Sequence, residues 1–300
     1  MRAITRLGVA AALACSATAA LAHGGHAHDE PPGWTWDPWI TVPLALSLLL
    51  FAIGFARLRS RAVRGDYRRR GLYFCAGWVL LSAALVSPLH AAGERSFSAH
   101  MLEHELLMLA AAPLLVLAEP LAILLWAFPA RARQAIGALV RTRAMSALWG
   151  RLTGPVAATI LQAAALWLWH APFLFDLALA SEGWHAAQHL SFILSALLFW
   201  SAMLGASRKP ASGGRGLAAL CLFATSLISG ALGALMAFSQ SPWYARYAEL
   251  GMAPYGLTPA EDQQVAGLIM WIPGGLVHAL AALILVAALL RPAAGAADAR

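Results

Sequence analysis

Seven long apolar runs, separated by short loops rich in arginine, leave this chain few ways to fold. They fall at about 39–57, 71–89, 99–118, 153–171, 184–204, 217–238 and 263–290. Each is long enough to cross a hydrocarbon core of roughly 30 Å at about 1.5 Å per residue. A chain of 300 residues that is 60% hydrophobic and only 12% charged is a polytopic membrane protein and not a soluble globule. Short loops predict antiparallel neighbours, and small residues such as Gly230, Gly233 and Ala234 permit close helix approach. The expected fold is an all-α transmembrane helix bundle.

The first 22 residues read as a secretory signal. Arg2 and Arg6 form its basic start, Leu7 to Ala19 its apolar stretch, and Ala20-Leu21-Ala22 a cleavage site. The expected organisation is a signal peptide at 1–22, a His-rich leader at 23–38, a seven-helix bundle at 39–290 and a tail at 291–300. Charge placement sets the orientation. Loop 57–71 carries seven cations, loop 129–152 five, loop 205–216 three and the tail two, against only Arg95 and Arg246 on the other face. By the positive-inside rule the N-terminus is outside and the C-terminus cytoplasmic, which an odd span count also requires. This is the arrangement of a bacterial inner-membrane protein. The same placement removes nucleic acid as the reason for the net charge of +7.

Segment 119–128 either extends the third span or lies in the interface, with Pro120 breaking or kinking the helix. Pro273 with Gly274 and Gly275 predicts a kink or loosening midway along the seventh span. The loop 239–262 holds Trp243, Tyr244, Tyr247 and Tyr255, which suit a membrane–water interface.

With cleavage after Ala22, Cys75 and Cys221 remain, both in apolar runs. No paired-thiolate motif exists, so a thiolate copper carrier or zinc ribbon is excluded on ligands.

The ten histidines avoid the basic loops altogether. His100/His104 and His185/His189 form two His-x-x-x-His pairs at the outer ends of spans three and five. At this spacing both rings of a pair lie on one helix face. His90 and His170 end spans two and four at the same face, and His278 lies deep in span seven. Polar rings at a membrane are costly, so such residues are site candidates by default. Met108 extends the span-three stripe, and Met270 precedes His278 by about two turns. Imidazole with thioether suits copper, Cu(I) in particular. The expected metal-binding residues are His100, His104, His185, His189, His170, Met108, Met270 and His278. His100, His104, His170, His185 and His189 are expected to form one cluster. His23, His26 and His28 in the leader read as a flexible metal-collecting tail.

Other chemistries compete for the same residues. His100-Met101-Leu102-Glu103-His104 matches the inverted zinc-protease signature, but no third ligand is identifiable, and Glu103 is better placed to orient a histidine. A b-type haem carrier would use histidines on different helices as axial ligands. A copper permease would need a polar path, for which Met270, His278, Ser226 and Ser229 are the material. Asp176, Glu182, Glu261 and Asp262, beside Gln263 and Gln264, make an acidic outer rim that would attract cations.

Four stretches carry a resemblance: His100-Met101-Leu102-Glu103-His104 with Pro113-Leu114-Leu115; Trp169-His170-x-Pro172; His185-x-x-x-His189-Leu190-Ser191-Phe192; and Asp262-Gln263-Gln264-x-x-Gly267-Leu268-Ile269-Met270-Trp271-Ile272-Pro273-Gly274-Gly275. Together they resemble the CtaG-type cytochrome c oxidase assembly factors, over about residues 39–290. The resemblance implies a non-enzymatic role in maturing haem-copper oxidase, with oxidase subunits as partners and copper delivered on the outer side. Family members often carry Gln where this chain has Glu103.

Overall fold

The computed structural model of the protein describes residues 32–59, 67–208 and 212–290. The expected signal, the leader histidines His23, His26 and His28, and the tail arginines Arg291 and Arg300 lie outside these residues. Among the described residues the secondary structure is helical throughout, apart from one isolated bridge between Ala253 and Leu257.

The helices in chain order are α1 (Pro38–Arg59), α2 (Tyr67–Val86), α3 (Pro88–Gly93) and α4 (Phe97–Glu105). A π-helical turn (Leu106–Ala111) leads to α5 (Ala112–Ala118) and α6 (Pro120–Leu125). Then come α7 (Ala130–Val140), α8 (Arg143–Leu152), α9 (Pro155–Trp169), α10 (Pro172–Ala180), α11 (Glu182–Arg208), α12 (Ser212–Phe238), α13 (Ala245–Leu250) and α14 (Pro259–Leu290). Inside lipid a spanning segment must pair its own backbone groups, and these helices do so.

Five helical segments are long and apolar enough to cross a membrane singly: Pro38–Arg59, Phe97–Ala118, Glu182–Ala206, Gly214–Phe238 and Pro259–Leu290. The fourth expected run appears as α9, a candidate span only when paired across a 65° bend with α8, which comes from the expected loop 129–152. The second expected run is α2, twenty residues long, which carries Arg68, Arg69 and Arg70 in its first turn.

The two prolines behave differently. At Pro120 the helix does break: α5 ends at Ala118, Glu119 takes a left-handed conformation at φ 47°, and α6 departs as a separate element. It lies on α1, where Gly54 admits it; a Cβ at Gly54 would stand 2.0 Å from the Ile123 carbonyl oxygen. Arg57 Nη1 donates to the Ala127 carbonyl at 2.7 Å and holds the end of α6 in place. At Pro273, by contrast, α14 continues as one helix from Pro259 to Leu290.

The main core lies among α4, α9, α11, α12 and α14, and is filled by Phe97, Phe175, Phe192, Phe199, Met203 and Met236. A smaller cluster joins α1, α2, α5 and α6, with the Phe51 and Phe74 rings stacked 3.6 Å apart. Short outer elements close one end of the bundle, and they place the site.

Candidate metal centre

The start of α4 is held from a distance. Asp262, in the first turn of α14, accepts the Phe97 amide at 2.6 Å, the Ser96 hydroxyl at 3.0 Å and the Ser98 hydroxyl at 2.5 Å. A carboxylate on the free N–H groups of a helix start is a strong cap. Gln263 accepts the Trp243 amide at 2.6 Å and donates to the Ser241 carbonyl at 3.1 Å; Gln264 donates to the Ser239 carbonyl at 2.9 Å. Asp176 accepts the amides that open α13. Of the expected acidic rim, Asp176 and Asp262 are therefore committed to backbone groups.

With α4 fixed, its histidine face meets that of α11. The ring centroids of His100 and His104 are 4.4 Å apart, and those of His185 and His189 are also 4.4 Å apart. Across the helices, His100 lies 5.3 Å from His185, and His104 lies 5.1 Å from His189. One nitrogen from each of His100, His185 and His189 can be chosen so that all three lie within 4.8 Å of one another. His100, His104 and His189 are buried, while His185 is partly exposed.

His90 comes from α3, stacked 5.3 Å from His185. Its Nδ1 lies 2.8 Å from Glu103 Oε1, and the same oxygen is 3.5 Å from His189 Nε2. Burial pulls the His90 pKa down, but the hydrogen bond and charge of Glu103 more than offset that and leave it raised. Glu103 thus sits behind the imidazoles, held at Oε1 by His90.

Phe97, Phe175, Tyr244 and Tyr247 roof the cluster. The Tyr247 hydroxyl donates to the Gly93 carbonyl at 2.5 Å, and the Tyr244 hydroxyl donates to the His170 carbonyl at 3.1 Å. Burial pushes both phenols up, so they remain donors.

The eight expected ligands separate into groups. His100, His104, His185 and His189 meet directly. His170 joins from the end of α9 through Met101: its Nδ1 donates to the Leu166 carbonyl at 2.7 Å, which turns Nε2 toward Met101 Sδ at 3.4 Å. Met108 and His278 line a different, deeper cavity. Met270 is buried in the apolar core.

The cluster contains six buried ring nitrogens without a hydrogen-bond partner: both of His100, both of His104, and Nε2 of His185 and of His189. Each such group costs about 1–3 kcal/mol when left unpaired. A bound cation would satisfy several at once, so the donor set fits a metal. Sequence reasoning missed Met101 and Gln188. Met101 was hidden by reading the stripe at four-residue spacing only. Gln188 is fully buried with both amide atoms unpartnered, and a lone Gln between His185 and His189 was its signal.

Fold and site together define a class: a multi-helix membrane protein with a polyhistidine cluster buried beneath an aromatic roof. The chain belongs to the family described as cytochrome c oxidase caa3 assembly factor, which matches over residues 49–292. Two uncharacterized proteins, Mb0105 of Mycobacterium bovis and MT0111 of Mycobacterium tuberculosis, are each 28% identical over 254 residues, covering 79% of this chain. The chain spans 36% of the length of these curated relatives. No solved structure matches.

Proposed function

We propose that this protein holds copper(I) at the cluster of His100, His185 and His189 and passes it to a cytochrome c oxidase subunit during assembly. The observation that carries the reading is the 4.8 Å convergence of three imidazoles from two helices, two of them buried and each with an unpartnered ring nitrogen. Neutral imidazoles with Met101 and His170 nearby suit a soft monovalent ion, and a site without thiolates releases it readily. Glu103, hydrogen-bonded to His90, lies behind the ion. The partly exposed His185 marks the side through which copper enters and leaves.

Topology supports the direction of delivery. With seven spans after a cleaved signal, the basic loops are cytoplasmic and the cluster faces the periplasm of a bacterial inner membrane. The role is transfer and not catalysis. Haem is the weaker reading, because rings packed at 4.4–5.3 Å centroid spacing leave no slot for a porphyrin.

The test is copper analysis of protein purified under reducing conditions, beside His100→Ala/His189→Ala, with oxidase copper measured in cells carrying each. Loss of about 1.4 kcal/mol of binding is a tenfold change in affinity, and removal of two of three ligands is expected to exceed that. Equal copper in both proteins, or normal oxidase in the mutant strain, would refute the reading.

A further inference from the structure

Below the histidine cluster, one turn deeper along the same chain segment, lies a cavity of about 20 Å³. It has room for one water-sized guest. Glu105, Met108, Gln162, Thr225, Ser229 and His278 supply its polar and sulfur lining. Glu105, Gln162 and His278 are each at least nine-tenths buried.

Hydrogen-bond accounting shows what this lining lacks. His278 Nδ1 lies 2.8 Å from the Gly274 carbonyl, so that nitrogen carries the proton and Nε2 presents a lone pair. The Thr225 hydroxyl donates to the Cys221 carbonyl at 2.9 Å, and the Ser229 hydroxyl donates to the Thr225 carbonyl at 2.8 Å. Gln162 Nε2 points at Met108 Sδ, 3.6 Å away, which leaves Oε1 as the free end of the amide. Glu105 Oε2, Gln162 Oε1 and His278 Nε2 have no partner at all. Gln162 Oε1 and His278 Nε2 are acceptors, and the Glu105 carboxyl is a donor when protonated and an acceptor when ionised. No Lys or Arg lines the cavity to balance Glu105. A cation that enters as the Glu105 proton leaves would meet three acceptors at once, His278 Nε2, Gln162 Oε1 and the carboxylate.

We infer that this cavity is a second, intramembrane cation site, with His278 Nε2, the Glu105 carboxylate, Gln162 Oε1 and the Met108 thioether as donors, and that it takes a soft monovalent ion. One carboxylate and one monovalent ion sum to zero charge, which suits a low-dielectric interior. The thioether discriminates against sodium and potassium. Identifying the ion as copper(I) rests on the function proposed above; the existence of the site does not.

The test uses silver(I), a redox-inert stand-in, with the full-length protein in lipid nanodiscs. Bound metal is measured by equilibrium dialysis in wild type, His100→Ala/His189→Ala and Met108→Leu/His278→Ala. Two equivalents are expected in wild type and one in each double variant. Two equivalents in Met108→Leu/His278→Ala would overturn the second site. Two equivalents in His100→Ala/His189→Ala, with one in the other variant, would leave the second site standing and refute the upper one. A single equivalent in wild type, lost with the upper histidines, would overturn the inference. To exclude misfolding, Met108→Leu is placed in the His100→Ala/His189→Ala background, since Leu conserves volume. There, X-ray absorption should lose the silver–sulfur scattering and affinity should fall about tenfold or more. Unchanged scattering and affinity would also overturn it.

Discussion

At Asp262 the backbone of a distant helix, not a cation, takes up the carboxylate. The residue was legible as an acid beside a helix start, but its partner is 165 positions away and no spacing rule connects them. Asp262→Ala is expected to cost about 0.5–2 kcal/mol by loss of the cap, while Asp262→Asn should retain most of it. Thermal unfolding in detergent checks this, and an Ala variant as stable as the Asn variant would count against the capping role. The same contrast applies within the histidine cluster. Local spacing paired His100 with His104 and His185 with His189 on their own helices. That Glu103 would meet His90 depended on α3, a six-residue helix opened by Pro88 and capped by Ser87, whose direction only packing decides.

The π-helical turn Leu106–Ala111 has a chemical cause at the level of the element. Pro113 has no N–H and its ring conflicts with a regular i−4 carbonyl, so the register shifts before it. The Ala112 amide bonds to Leu107 O, five residues back. Met108 O then lacks its chain donor, and the Trp200 indole supplies one at 2.8 Å. Trp200→Phe should leave that carbonyl unpaired and cost about 1–3 kcal/mol, read as a lowered unfolding midpoint. Because the Trp200 ring also stacks on His278, 5.8 Å between centroids, the same variant should weaken metal retention in the deeper cavity. Helix crossing is the second matter at this scale. A Cβ at Gly267 would lie 2.5 Å from both the Gly233 oxygen and the Ala237 nitrogen, so α12 and α14 touch backbone to backbone. Gly267→Ala must push them apart, with an expected loss of about 1–3 kcal/mol. An Ala variant that melts with the wild type would show that the crossing can relax.

Among the described residues, large apolar side chains stand exposed along several helices. Along α14, Leu268, Ile272, Leu276, Leu280 and Leu283 all face outward, and Leu276 is 67% exposed. Such a stripe would be a liability in water and is covered by acyl chains in a bilayer. Trp34, Trp36 and Trp39 stand exposed at one rim, where amphipathic rings favour the headgroup region. The orientation proposed from the basic loops predicts that a fluorescent protein fused to the C-terminus glows while an alkaline phosphatase fusion there is inactive; the reverse result would invert the site to the cytoplasmic side. What the amino-acid order determined alone is what is local or summed over a segment: apolar runs, the all-helical class, charge asymmetry, and histidine pairs at one helix turn. Tertiary structure alone decided which pairs meet, that Met101 and Glu103 join them, and that Met108 and His278 form a separate cavity. The reason is physical: the period of a helix follows from covalent geometry, whereas contacts between helices follow from side-chain shape, glycine crossings and caps set by residues far apart in the chain.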